Sequence, residues 1–166
     1  RPLEILPTME PLIIVDLHKA NPPPAQFVAR LRRYARRFRC RIFTRYVNPA
    51  GSLFRTVLKR RSFGPGTSDI ELLIAPERGD VVISKRGYGL SPAAIRRIRA
   101  LGVKRATICG MDTDACVLGV MFSLFDAGIV CRVKKDLCWS SSGLHRQGMA
   151  IIEEQFPPPK QRRRRR

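Results

Sequence analysis

The chain is 166 residues long and 44% hydrophobic, enough for one domain with a real core and too short for two ordinary ones. A net charge of +19 favours phosphate, nucleic acid or acidic partners. No apolar run approaches the roughly 20 residues that cross a bilayer, so no membrane role is expected. The N-terminus lacks the basic-then-apolar pattern of a signal peptide, and the predicted location is the cytoplasm. Because the first residue is Arg1 and not methionine, an upstream organellar targeting segment stays open. Five cysteines, an odd number without a CxxC pair, read as reduced thiols and not as a disulfide framework or zinc site.

Residues 1–10 read as an arm. Leu12 to Val15 is a continuous apolar run suited to a strand buried on both faces, and it ends at Asp16. A carboxylate at the C-terminal end of a central strand stands where open α/β sheets collect their chemistry. His18 follows in a loop, where a histidine is ordinarily solvated but is placed to face the site. From Gln26, Phe27, Val28, Leu31, Tyr34, Ala35 and Phe38 recur at helical spacing with arginines on the opposite face. Arg41 to Val47 forms the second predicted strand. Asn48 to Ile74, containing NPAGS and FGPGTSD, is a long irregular excursion able to cover a site as a lid, with Phe54 and Phe63 as candidate substrate walls.

Asp80 to Ser84 is a third short strand, followed by Lys85. The next turn, KRGYGL, puts two glycines around Tyr88 where backbone can approach a ligand. Ser91 caps a helix that has Pro92 at its first position and stops at Gly102. Ala106 to Cys109 is strand four, and a turn of Asp112, Thr113 and Asp114 leads into a helix carrying Val117, Val120, Met121, Leu124 and Phe125. Cys116 falls in the first turn, where unpaired N–H groups and the helix dipole lower a thiol pKa, with Asp114 or Thr113 as N-cap. Such a thiol alkylates rapidly at neutral pH. Ile129 to Val133 is strand five, DLCWSSSG a loop, and a last helix runs from about Leu144 to Gln155.

This alternation predicts a three-layer α/β/α domain over residues 1–156, with a mostly parallel sheet of five to six strands and Rossmann-like topology. Residues 157–166, PPKQRRRRR after Pro157, are expected to be a basic disordered tail. Neither GxGxxG nor a P-loop is present, so dinucleotide binding and nucleotide hydrolysis have no footing. Parallel strands bring Asp16, Lys85 and Cys116 to one edge of the sheet as carboxylate base, cation and nucleophile.

With CGMDTDACV, the following FDAG and DLCWSS, the first-strand IIVDLH and the lysine segment ISKRGYGL, the chain resembles the isochorismatase-like cysteine hydrolases. That family includes nicotinamidases and N-carbamoylsarcosine amidohydrolases, and the resemblance covers roughly residues 11–155. It implies that Cys116 attacks a carbonyl or carbamoyl carbon, that Asp16 relays the thiol proton, and that Lys85 holds both electrostatically. It also implies a cis peptide at Met111–Asp112, with the N–H groups of Asp112 and Cys116 as an oxyanion hole and the Asp112 carboxylate turned away. His18, Phe54, Phe63, Tyr88 and Met111 are candidate contacts to a small-molecule substrate. Nicotinamidases place an aspartate and two histidines after the second strand to bind a metal, whereas this chain has TRYVNPAGS there, and its only histidines are His18 and His145. No metal or other cofactor is therefore expected. Isochorismatases that cleave a vinyl ether do not depend on the cysteine, so Cys116 favours amide-type hydrolysis. Family members commonly self-associate, which makes a homo-oligomer the expectation.

A second class of function rests on charge alone. Arg30, Arg32, Arg33, Arg36, Arg37, Arg39 and Arg41 cluster on one predicted helix and its exit, and Lys160 with Arg162 to Arg166 forms the terminal run. On that basis the alternative is a catalytically idle domain recruited as a nucleic-acid or ribonucleoprotein-binding component.

Overall fold

The computed structural model describes residues 10–157. The terminal basic run, Lys160 to Arg166, lies outside the described residues. The strands are β1 (Leu12–Val15), β2 (Arg41–Tyr46), β3 (Val81–Lys85), β4 (Arg105–Met111) and β5 (Val130–Trp139), and all pair in parallel in the order β3-β2-β1-β4-β5. The helices are α1 (Ala25–Ala35), the short α2 (Leu53–Thr56), α3 (Pro92–Ala100), α4 (Leu118–Asp126) and α5 (His145–Gln155). This is the three-layer α/β/α arrangement expected from the alternation, with five strands.

The central strand explains its own composition. Every residue of LIIV in β1 is buried, because alternate side chains enter opposite cores. Ile13 and Val15 pack with Ala94 and Ile98 of α3, Val120 and Leu124 of α4, and Met149 and Ile152 of α5. Leu12 and Ile14 pack on the other face with Phe27, Val28, Leu31 and Ala35 of α1. Helix α1 needs only that one apolar stripe, and its arginines turn outward.

Two departures from the expected elements have local causes. Strand β5 does not stop at Val133 but continues to Trp139, so DLCW is strand and not loop. Its register is interrupted: Ile108 faces Val133, yet Gly110 faces Cys138, and the charged KKD segment fills the irregularity. Gly110, at φ 120°, lies so close to β1 that a Cβ there would overlap the backbone of Val15. Arg41 also departs from expectation, since it is buried and does not belong to the exposed basic cluster. Its guanidinium grips Asp80 Oδ1 at 2.9 Å and Oδ2 at 2.7 Å, and reaches Glu77 Oε2 at 2.8 Å. The pair ties the start of β2 to the turn that launches β3.

Removing the Arg41 guanidinium would leave Asp80, whose side chain is 5% exposed, without its cation. Arg41→Ala should therefore lower the unfolding free energy by about 3–5 kcal/mol, measured by urea denaturation. A loss below about 1 kcal/mol would show the pair to be dispensable.

Burial also holds three thiols of the sheet in the neutral state. Cys131 and Cys138 are pushed up to about 12 and Cys109 well above the ordinary value, in each case chiefly by desolvation. The unfolded chain releases these protons from about pH 9 upward while the native chain retains them, so stability must fall as pH rises through that range. Urea midpoints between pH 8 and 10.5 should show the fall, and Cys131→Ala should make it shallower by about 1.4 kcal/mol per pH unit.

Candidate active site

The register of the parallel strands brings Asp16, Lys85 and the segment after Met111 to one edge. Asp16 directly follows β1 and adopts φ 45°, a left-handed turn. Its N–H bonds Thr44 Oγ1 at 3.1 Å, and Thr44 Oγ1 in turn donates to Asp16 Oδ1 at 2.7 Å. The other oxygen, Oδ2, lies 2.6 Å from Lys85 Nζ, with both side chains almost fully buried. Lys85 further donates to the carbonyls of Gly87 at 2.7 Å and Tyr88 at 3.1 Å, and its ammonium stands 5.4 Å from the Tyr46 ring centroid. The carboxylate and the ammonium are thus each held from more than one side.

Cys116 lies in a π-helical turn, Thr113–Val117, that precedes α4 and does not belong to its first α-helical turn. The turn closes through Val117 N to Asp112 O at 2.9 Å. No side-chain cap serves it. Thr113 Oγ1 instead pairs with His145 Nδ1 at 2.8 Å, and Asp114 Oδ2 accepts from Ser142 Oγ at 2.8 Å. Gly148 of α5 fits against this turn so tightly that a Cβ would meet Asp114 N and Cα at 2.8 Å. Gly119 of α4 similarly abuts the backbone of Tyr88, where a Cβ would meet its carbonyl carbon at 2.8 Å. The close backbone approach expected of the KRGYGL glycines is therefore to α4 at Gly89 and Gly119, and it brings the lysine segment against the cysteine turn.

The thiol faces Asp16 and Lys85 and is pushed up to about 12. Desolvation is the main cause, the Asp16 carboxylate adds to it, and Lys85 opposes both. This reverses the expectation of a thiolate lowered by a helix start: loss of water around the sulfur and a neighbouring anion outweigh backbone N–H groups. At neutral pH the thiol carries its proton beside a carboxylate placed to take it.

The substrate-contact candidates converge here as well. His18, expected to be solvated as a loop histidine, is buried and pairs with Leu72 in an antiparallel bridge. Its ring packs on Phe63 at 5.0 Å, and burial lowers its pKa against the pull of Asp16, so it is neutral at physiological pH. His18, Phe63, Met111 and Tyr46 enclose a 70 Å³ cavity with Asp16 and Cys116. A larger cavity of 380 Å³ shares Cys116 and Tyr46 and adds Phe54, Tyr88 and Arg60. His18 Nε2 and Tyr46 Oη are buried there without a protein partner. The peptide Met111–Asp112 is cis, and Asp112 Oδ1 accepts the Ser141 N–H at 2.7 Å.

Three further positions at the site escaped the sequence reading. Thr44 bonds Asp16, and nothing in the RIFTRY strand singles it out, since Arg45 beside it is polar too. Tyr46 carries the unpartnered hydroxyl, and burial above all raises it to about 12. Asn48 is buried and its amide donates to the carbonyls of Arg60 at 2.9 Å and Ser62 at 3.0 Å. Its Oδ1 accepts from the Ser52 hydroxyl. Among the described residues, no group of three or more His, Cys, Asp or Glu side chains is arranged to hold an ion.

Over residues 13–158 the sequence matches the isochorismatase domain family, and the chain belongs to that family. No curated protein matches it by sequence. Its fold is shared with a pyrazinamidase of Pyrococcus horikoshii solved in complex with zinc, at TM-score 0.78 and 20% identity over 89% of this chain and 96% of that one. An isochorismatase-like hydrolase from Alkaliphilus metalliredigens superimposes at TM-score 0.79 and 12% identity, covering 89% of this chain and 92% of that one. A cysteine hydrolase from Pseudomonas syringae pv. phaseolicola 1448A gives 0.76 at 18% identity, covering 92% of this chain and 88% of that one.

The raised thiol sets a measurable rate. Iodoacetamide should label Cys116 more slowly than free cysteine at pH 7.4, accelerating about tenfold per pH unit up to roughly pH 11. A plateau below pH 9, read by mass spectrometry, would show a thiolate already formed at rest.

Proposed function

We propose that the protein is a metal-independent cysteine hydrolase of small amide or carbamoyl compounds, working through Cys116, Asp16 and Lys85. The observation that carries this reading is the buried Asp16–Lys85 pair at 2.6 Å facing a neutral thiol in a small cavity lined by His18, Tyr46, Phe63 and Met111. As the sulfur attacks the carbonyl carbon, its proton passes to Asp16, and the Lys85 charge stabilises the sulfur while it is anionic. The N–H groups of Asp112 and Cys116 take the carbonyl oxygen as it becomes an oxyanion. Asp16 returns the proton to the leaving nitrogen, the C–N bond breaks, and ammonia or an amine departs from a thioester. Water then adds to the thioester with Asp16 as base, releasing the acid and restoring the thiol. Neutral His18 and the Tyr46 hydroxyl supply hydrogen bonds to the bound group, and Phe54, Phe63, Tyr88 and Met111 form its walls.

On a panel of small primary amides and ureas, Cys116→Ser, Asp16→Asn and Lys85→Met should each lower kcat by about 10³-fold or more, and double variants should lose little beyond the singles. Thr44→Val, which leaves Asp16 with Lys85 alone, should lose roughly 10-fold. Full turnover in Cys116→Ser would overturn the mechanism.

A further inference from the structure

The lid between Asn48 and Ile74 carries exposed arginines at the rim of the same cavity, and the structure shows how their backbone is held. Lys59 and Phe63 adopt φ 58° and 64°, so the segment between them is bracketed by two left-handed turns. Its backbone is pinned: Arg60 N donates to Phe54 O at 2.8 Å, Asn48 Nδ2 holds the carbonyls of Arg60 and Ser62, and Asn48 N holds that of Phe63 at 2.7 Å. Arg60 and Arg61 line the 380 Å³ cavity with Cys116, and Arg60 also lines the outer 690 Å³ cavity. Among the described residues, neither guanidinium has an ion-pair partner. The neighbouring acids are engaged elsewhere, Asp112 with Ser141, Asp114 with Ser142 and Asp69 with Phe63 N. Lys59 is turned to the carbonyl of Thr56 at 2.7 Å.

Resting on Cys116 as the nucleophile, we propose that Arg60 and Arg61 bind a carboxylate on the substrate, so that the site takes small anionic amides or carbamoyl acids. The inner cavity of 70 Å³ has room for a planar amide group and little more, which leaves the remainder of the substrate in the outer chamber beside these guanidiniums. Arginine suits that task because its planar fork matches a carboxylate with two parallel N–H donors. The chain's net charge of +19 favours anionic over cationic ligands in general.

The test compares matched probes that differ in the acid alone: succinamate with butyramide, and N-carbamoylglycine with N-ethylurea. Wild type should prefer the acids in kcat/KM, and Arg60→Gln should shrink that preference about 10- to 100-fold, chiefly through KM. Arg60→Lys should restore part of it, and Arg36→Gln, a cation removed from the exposed end of α1, should leave it in place. Turnover that ignores the acid, or a preference that survives Arg60→Gln together with Arg61→Gln, overturns the inference while leaving the hydrolase reading intact. If none of the four probes turns over, the amide reading fails, and ligand-observed NMR of their binding to Cys116→Ser decides the inference alone: equal binding of acid and neutral probes rejects it, whereas acid-selective binding lost in Arg60→Gln upholds it.

Discussion

A carboxylate and an ammonium withdrawn from water 2.6 Å apart are the constraint to which the rest of the site is fitted. Burying both charges is unfavourable unless each is paired and hydrogen-bonded, and replacement by apolar residues commonly stabilises such positions. The pair is therefore poorly explained as a stabilising device. Thr44 on β2 and, in the turn after Lys85, the carbonyls of Gly87 and Tyr88 complete its hydrogen bonding. Parallel pairing of β1 with β2, and of β2 with β3, delivers those segments to one place.

The same withdrawal from water that makes the pair effective governs the sulfur. In a wet, exposed helix start a cysteine would ionise early and react with whatever arrived. Here the apolar and aromatic surroundings keep the proton on sulfur, and the base stands beside it. Under the proposed mechanism, reactivity is coupled to a bound carbonyl that accepts the developing charge, which limits reaction with unrelated electrophiles. The glycine contacts of Gly119 and Gly148 serve this arrangement, since they let α4 and α5 bring backbone against the lysine segment and the cysteine turn without an intervening side chain.

The lid gives the site its individual character. Asn48, two residues past β2, commits its side-chain amide to the carbonyls of residues 60 and 62. The loop is braced against the site by a run of rings, His18–Phe63–Tyr46–Phe54–Tyr88, packed at centroid distances of 4.9 to 5.8 Å. Aromatic packing of this kind holds the loop through many weak contacts and leaves its cations at the cavity wall.

Much of this was legible in the sequence, and for a physical reason. Burial on both faces forces LIIV to be continuously apolar, crossover helices force the 3.6-residue stripe of α1, and parallel strands place residues at their C-terminal ends on one edge. Asp16, Lys85 and Cys116 could thus be brought together from local pattern. Pattern failed where the answer depended on what packs from far away in the chain. The DLCW segment looked like a loop because the charged KKD that precedes and enters it breaks the apolar run of the strand, and Arg41 looked like surface because its acid lies 39 residues on. Thr44, Tyr46 and Asn48 bear no signature, since a hydroxyl or amide acquires its role only from the neighbour it meets. The protonation of Cys116 is the clearest case: sequence determined that a cysteine stands at this edge beside an aspartate and a lysine, but only the tertiary structure decided that desolvation, and not the backbone N–H groups of the turn, sets the state of its thiol.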